Sequence, residues 1–173
     1  GKFLIRNSNG IDCEENSSTA SVSANVTLRK DNTSGNGFDW QSVVKLEDLK
    51  VNKIAKKAYN MAKKGLKKTM VKTGKYPVVL SPIGTISFLI EPIIDGIDAE
   101  LIQNKKSFMI DKIHTDLMEG NNNELLNIID DPLIPWKIGS ESFDGEGTAT
   151  KKLKIINDGT LNTYLHNTYT ANK

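Results

Sequence analysis

The sequence predicts an α+β protein with mixed or antiparallel sheets and hairpins, two main helices and a mostly β C-terminal part. Three observations support this prediction. Residues 20–28 alternate apolar and polar side chains, which is the period of a half-buried strand. Residues 48–70 repeat apolar side chains every three or four positions, which is the period of a helix. An Asp158-Gly159 pair separates two further alternating segments, and this pattern is typical of a β-hairpin.

The first part of the chain is predicted to contain strands followed by a helix. Residues 3–6 form a short apolar strand that ends at a cluster of Asn, Ser and Gly. Residues 31–37, after the alternating strand, are rich in Asn and Gly and are predicted to be a polar loop. An aromatic anchor at 38–40 and a short strand at 42–45 come next. The helix over 48–70 then places lysines on most of its remaining surface.

The second part begins with residues 76–80, which are predicted to form a compact apolar strand. Ser81 is predicted to cap a helix whose first position is Pro82, because proline suits that position. Pro92 is predicted to kink or end this helix, because its ring removes a backbone donor.

The remaining elements are predicted to be strands, and the pattern over 98–123 allows no assignment. Residues 125–129 form a strand that Asp-Asp-Pro closes, and the hairpin joins 152–156 to 161–166. The shift in pattern near residues 73–76 predicts a domain boundary. Residues 1–73 would then form a strand-and-helix domain, and residues 74–173 the first part of a mostly β domain.

Composition favours a cytoplasmic protein with a core built mainly from Ile, Leu, Val and Ala. Hydrophobic residues make up 38% of the chain and aromatic residues only 6%. The net charge of +2 gives no reason to expect a nucleic-acid or membrane partner. No apolar run is long enough to span a bilayer, and no signal peptide is recognised. Cys13 is the single cysteine, so an internal disulfide and a CxxC metal site are excluded.

The residues themselves indicate no active site. The two histidines, His114 and His166, have no second histidine at helical spacing, and no nucleophile elbow or phosphate-binding loop is present. The acidic pairs Asp130-Asp131 and Asp144/Glu146 could hold a metal or act as acid and base, but they are also typical of turns. The lysine-rich helix could contact phosphates, but a solvated surface is the simpler interpretation.

Five strings in order resemble the TldD/PmbA family, also called modulators of DNA gyrase. They are NSNG at 7–10, YPVVLSP at 76–82, IDDP at 129–132, FDGEGT at 143–148 and INDGTLNTYLHNTYTA at 156–171. The resemblance covers essentially the whole chain. Because family proteins are considerably longer, it implies that this chain is an internal piece.

The resemblance implies a zinc peptidase built from two related subunits. The TldD-type subunit carries a His-Glu-x-x-x-His motif, and the corresponding positions here are Ser81, Pro82 and Ile86. This departure resembles PmbA-type subunits. It implies a chain without catalytic residues, metal or other cofactor, and zinc held by a TldD-like partner. The chain would complete a channel for small or unfolded peptides.

The resemblance also suggests four residues that contact substrate or partner. They are Asp144, Glu146, Tyr164 and His166. Gly145 stands where the family often has a second acid, which puts a direct role of this acidic loop in doubt. A homodimer is a further possibility.

Two alternatives remain open at the level of sequence. The first is an enzyme whose catalytic residues lie wholly outside this piece. The second is a DNA- or gyrase-binding regulatory module that uses the lysine-rich helix.

Overall fold

The computed structural model describes residues 1–118 and 126–173. Their backbone forms antiparallel sheets together with several helices, which confirms the predicted α+β class. The chain divides into two compact units. The first unit contains residues 1–75 and 134–149, and the second contains residues 76–133 and 150–173. None of the helices in the described ranges is both long enough and apolar enough to cross a membrane.

The first unit contains two hairpins and one long helix. Strands β1 (Lys2–Arg6) and β2 (Asp12–Asn16) pair antiparallel, and so do β3 (Ala20–Lys30) and β4 (Thr33–Val43). A 3₁₀ turn over Leu46–Asp48 leads into α1 (Val51–Gly65). The strand predicted at 3–6 and the alternating strand at 20–28 are therefore confirmed.

The predicted polar loop over residues 31–37 is wrong, because β4 already begins at Thr33. Only Asp31 and Asn32 form the turn, and Asp31 takes a positive φ of 51° there. The short strand expected at 42–45 is the end of β4, which stops at Val43. Glycine and asparagine favour turns in general, but inside a strand a glycine also marks a place where another backbone comes close.

Helix α1 packs its buried face on the β3–β4 hairpin. Ile54, Ala58 and Ala62 form this face. A Cβ added to Gly37 would lie 1.9 Å from the Ala58 carbonyl oxygen, so helix and strand are in backbone contact. The helix is shorter at both ends than the 48–70 predicted from its apolar period, and it ends at Gly65.

Residues 134–149 pack on the first hairpin of the same unit. The Glu15 carboxylate accepts hydrogen bonds from the Ser142 backbone N–H, at 2.7 Å, and from the Ser142 hydroxyl, at 2.6 Å. These two bonds favour the charged form, and they lower the pKa of Glu15 below its ordinary value. The Phe3 ring stacks on Phe143 with ring centroids 5.7 Å apart.

The second unit begins with a continuous helical run. It consists of α2 (Pro82–Thr85), a π-helical turn over Ile86–Ile90 and α3 (Glu91–Gly96). Of the two predicted effects of Pro92, a kink or an end of the helix, the end does not occur, because α3 continues through this residue. A π turn immediately before the proline changes the hydrogen-bond pattern there, which is one way in which a helix accommodates a residue without an N–H.

The rest of the second unit contains two short helices and a three-stranded antiparallel sheet. The helices are α4 (Ala99–Gln103) and α5 (Thr168–Ala171), and the strands are β5 (Ile128–Asp130), β6 (Leu153–Asn157) and β7 (Thr160–Leu161). The predicted strand at 125–129 is displaced to β5, and Leu125 lies outside the described residues.

The predicted hairpin is confirmed at its turn but is shorter in its second strand. Asp158 and Gly159 have φ values of 48° and 79°, as a type I′ turn requires. Strand β7 contains only Thr160 and Leu161, whereas the sequence predicted a second strand that extends to residue 166. The core of the unit includes residues of this hairpin. It consists of Ile93, Ile97, Met109, Ile155, Ile156 and Leu161.

Residues 76–80 are not a strand, contrary to the prediction. They have no regular secondary structure and all five are exposed. An apolar run of this kind forms a strand only when neighbouring strands and both faces are covered. The described residues supply no such cover, and so the local pattern alone was insufficient.

Candidate functional site

Ser81 is the N-cap of α2 and joins the exposed apolar segment to the helical run. Its hydroxyl accepts a hydrogen bond from the Gly84 backbone N–H at 3.1 Å, and Pro82 occupies the first turn. The Ser81 carbonyl also accepts bonds from the Thr85 N–H and hydroxyl, at 2.7 and 3.1 Å. The predicted cap and proline position are thus confirmed, and the Ser81 side chain is engaged in capping the N-terminus of the helix.

The surface around this cap is unusually apolar. Val79 is 97% exposed and Phe88 is 77% exposed. Val78, Leu80 and Ile86 are also exposed. Soluble proteins rarely leave adjacent large apolar side chains in water unless the surface contacts something. The segment from residue 78 to residue 88 is therefore a candidate contact surface.

The three positions that the resemblance aligned with a zinc motif lie close together in this segment, but their chemistry does not suit a metal. Ser81 offers a neutral hydroxyl that already accepts a hydrogen bond, and Pro82 and Ile86 offer hydrocarbon. Zinc sites in enzymes require about three imidazole, thiolate or carboxylate ligands. Across residues 1–118 and 126–173, no group of three or more such side chains is placed to hold a metal ion.

Asp144 and Glu146 lie in a tight loop of the first unit. The Asp144 carboxylate accepts hydrogen bonds from the Glu146 and Thr148 backbone N–H groups, both at 2.9 Å. The Gly147 N–H donates to the Asp144 carbonyl at 3.0 Å, and Gly147 has a φ of 82°. One carboxylate oxygen of Asp144 is therefore used to close the loop, whereas the Glu146 side chain is exposed.

Tyr164 and His166 follow the hairpin of the second unit and have different surroundings. The Tyr164 hydroxyl donates to the Met109 carbonyl at 2.7 Å and accepts from the Lys112 N–H at 3.3 Å. This residue thereby ties the stretch after β7 to the core. His166 is exposed. A substrate-contacting role for either residue stays a prediction.

A shallow groove on the β3–β4 hairpin was not recognised from the sequence. It has a volume of about 370 Å³. Its lining consists of Ser21, Val22, Ser23, Phe38 and Trp40. Phe38 and Trp40 alternate with the helix-facing Gly37 and Asp39. This period of two would have revealed the aromatic face if residues 33–37 had been assigned to the strand.

Comparison with protein families gives two matches that together cover most of the chain. Residues 1–66 match the PmbA/TldA metallopeptidase central domain, and residues 73–173 match the PmbA/TldA metallopeptidase C-terminal domain.

Individual relatives agree with these matches. A metalloprotease of Methanocaldococcus jannaschii is 33% identical over 89% of this chain and 32% of its own length. A PmbA homologue of Buchnera aphidicola is 27% identical over 98% of this chain and 37% of its own length. A protein of Thermotoga maritima described as a modulator of a DNA gyrase superposes with a TM-score of 0.87 at 29% identity, and the match covers 99% of this chain and 39% of that one. The chain thus spans well under half the length of these relatives.

Proposed function

Because the chain belongs to the PmbA/TldD metallopeptidase family, we propose that it is part of the PmbA-like, non-catalytic subunit of a two-subunit zinc peptidase. The observation that supports this most directly is the side-chain chemistry at Ser81, Pro82 and Ile86. Water activation by zinc needs ligands that hold the ion and a base that accepts the proton. Ser81 offers a hydroxyl engaged in a helix cap, and Pro82 and Ile86 offer only hydrocarbon. These side chains can neither hold zinc nor accept a proton from its water.

In this proposal the zinc and the general base belong to a TldD-like partner subunit. The present chain contributes one wall of a channel that admits small or unfolded peptides. The exposed apolar segment over residues 78–88 supports this role, because extended peptides bind beside apolar side chains and accessible backbone groups with little demand on sequence. Cytoplasmic location is part of the same proposal.

The test uses the full-length protein, prepared alone and together with a TldD-like subunit from the same organism. The protein alone is expected to contain no stoichiometric zinc and to leave an unfolded peptide intact, whereas the pair is expected to cleave it. The control is a pair in which the partner's motif glutamate is replaced by glutamine. Zinc at one equivalent in the unaccompanied protein, together with peptide cleavage, would contradict the proposal and favour catalytic residues elsewhere in the longer chain.

A further inference from the structure

Positive charge in this chain is concentrated in one segment. Residues 49–90 contain ten lysines and no aspartate or glutamate. The net charge of the whole chain is only +2, so the rest of the chain is net acidic. Eight of these lysines lie on α1 or within a few residues of it. They are Lys50, Lys53, Lys56, Lys57, Lys63, Lys64, Lys67 and Lys68. Together they are called the lysine surface below.

The packing of α1 fixes the direction in which the lysine surface faces. Ala58 and Ala62 lie against the backbone of Gly37 and Gly35, so the helix cannot rotate about its axis without a clash. All eight lysines are exposed. Lys57 forms an ion pair with the buried Asp39 at 3.6 Å, and within the described part of the chain the other seven have no carboxylate within 4.0 Å.

Lys63 and Lys64 lie in the last turn of α1, where the helix dipole favours positive charge, but the N-terminal half of the lysine surface does not stabilise the helix. The first turn of α1 contains no acidic residue, although acids there would interact favourably with the helix dipole. Lys53 instead lies three and four residues before Lys56 and Lys57, and like charges at these spacings destabilise a helix by a few tenths of a kcal/mol per pair. A ligand with negative charge would remove this repulsion.

The shape of the lysine surface favours a linear polyanion. Lys53 and Lys64 are eleven residues apart, which corresponds to about 16 Å along a helix. Over that length each strand of a DNA duplex presents about five phosphates. A protein partner fits less well, because the centres of protein interfaces are enriched in Trp, Tyr and Arg and depleted in Lys. The outer surface of α1 carries one Tyr and neither Trp nor Arg.

We propose that the lysine surface of α1 binds the phosphate backbone of nucleic acid without sequence preference. The binding is electrostatic, and so it weakens steeply with salt. This activity goes beyond the proposed peptidase role. It also uses residues remote in sequence from the motif positions at 81, 82 and 86.

The test measures binding of the full-length protein, without a partner subunit, to a fluorescent 20-base-pair duplex between 50 and 200 mM salt. The variant Lys56→Gln/Lys63→Gln/Lys64→Gln leaves the Lys57–Asp39 pair intact. It is expected to bind at least tenfold more weakly and to reduce the slope of log affinity against log salt, by up to about 3. The matched control, Lys105→Gln/Lys106→Gln/Lys151→Gln, removes the same charge elsewhere and is expected to change affinity less than twofold.

Three outcomes would overturn the proposal. They are no binding at 50 mM salt, equal weakening by the two variants, and tighter binding of labelled polyglutamate than of the duplex, which would identify an acidic polypeptide as the partner. Peptide cleavage by the two-subunit pair is measured in parallel with the same variants and is expected to be unchanged. Duplex binding thus tests the lysine surface and peptide cleavage tests the proposed peptidase role, so either proposal can fail independently of the other.

Discussion

At the scale of single residues, Gly37 controls how closely α1 approaches the sheet. An added Cβ would meet the Ala58 carbonyl oxygen at 1.9 Å and the Ala62 nitrogen at 2.6 Å. Both atoms belong to helix backbone, so no side-chain rotation can relieve the clash. Tight packing of this kind converts a single methyl group into a displacement of the whole helix.

Gly37→Ala is therefore expected to lower the free energy of unfolding by about 2–3 kcal/mol, as overpacking of a tight core does. Urea denaturation followed by circular dichroism measures this loss. The control is Gly145→Ala, because a Cβ there meets nothing within 4 Å and its φ is not positive. We expect that control to stay within about 0.5 kcal/mol of the unmodified protein. Equal stability of the two variants would show that the helix adapts easily.

Some side-chain hydrogen bonds can be predicted from the neighbouring sequence, whereas others cannot. The Tyr164 hydroxyl has two backbone partners inside its own unit, and the expected contact of this residue with substrate or partner stays a prediction. Those partners, Met109 and Lys112, lie more than fifty positions away in the chain, and no local pattern predicts such a contact. Ser81 is the opposite case. Its cap depends on residues 81–84 alone, and the sequence predicted it correctly.

At the scale of elements, periodic patterns predicted the local structure well where one face packs on another element and the opposite face is exposed. Strand β3 and the core of α1 followed their periods of two and about 3.6. Strand β4 was partly missed because Gly35 and Gly37 resemble loop residues until the helix above them is known. The composition of residues 76–80 is typical of a strand, but a strand also needs a hydrogen-bonding neighbour.

The ends of β5 and β6 are joined by an ion pair that should depend on pH. Lys152 Nζ lies 2.7 Å from Asp131 Oδ2. The hydrogen bond from Lys152 lowers the pKa of the Asp131 carboxyl below its ordinary value, against a smaller opposing effect of desolvation. A folded-state pKa below the unfolded one stabilises the protein at higher pH. This contribution is lost as the pH falls through about 4 and below.

Asp131→Asn is thus expected to be less stable than the unmodified protein at pH 7, and the difference should shrink as the pH falls from 5 to 3. Urea midpoints of both proteins across this range provide the measurement. Asp111→Asn is a suitable control, since no ion pair to Asp111 is found in the described residues. A difference that stayed constant with pH would mean that the carboxylate charge is not what stabilises this site.

At the scale of the whole molecule, the chain presents a large apolar surface and spans well under half of its relatives' length. We expect the 173-residue chain alone to bind the dye ANS through this surface. Val79→Lys combined with Phe88→Lys should lower the dye fluorescence at least twofold. Val71→Lys is the control, because Val71 is 73% exposed but lies outside this surface. Equal fluorescence from all three proteins would argue against a dye-binding surface at residues 78–88.

In the candidate site, too, some features follow from the sequence alone and others depend on how distant residues pair. The absence of metal ligands at residues 81, 82 and 86 follows from the identity of the side chains alone. The aromatic groove of Phe38 and Trp40 required the strand register, which places both rings on one face of the hairpin.

The exposed segment around Val79 has a consequence for protein synthesis and storage. Short apolar stretches rich in β-branched residues initiate amyloid-like stacking when several chains meet, and six or seven residues are the usual minimum. Here Pro77 and Pro82 bracket the stretch and leave only residues 78–81 between them. Proline cannot donate to a growing fibril ladder, and the charge on Lys75 adds repulsion. The two prolines therefore limit the uninterrupted stretch around Val79 to four residues, which is below this minimum.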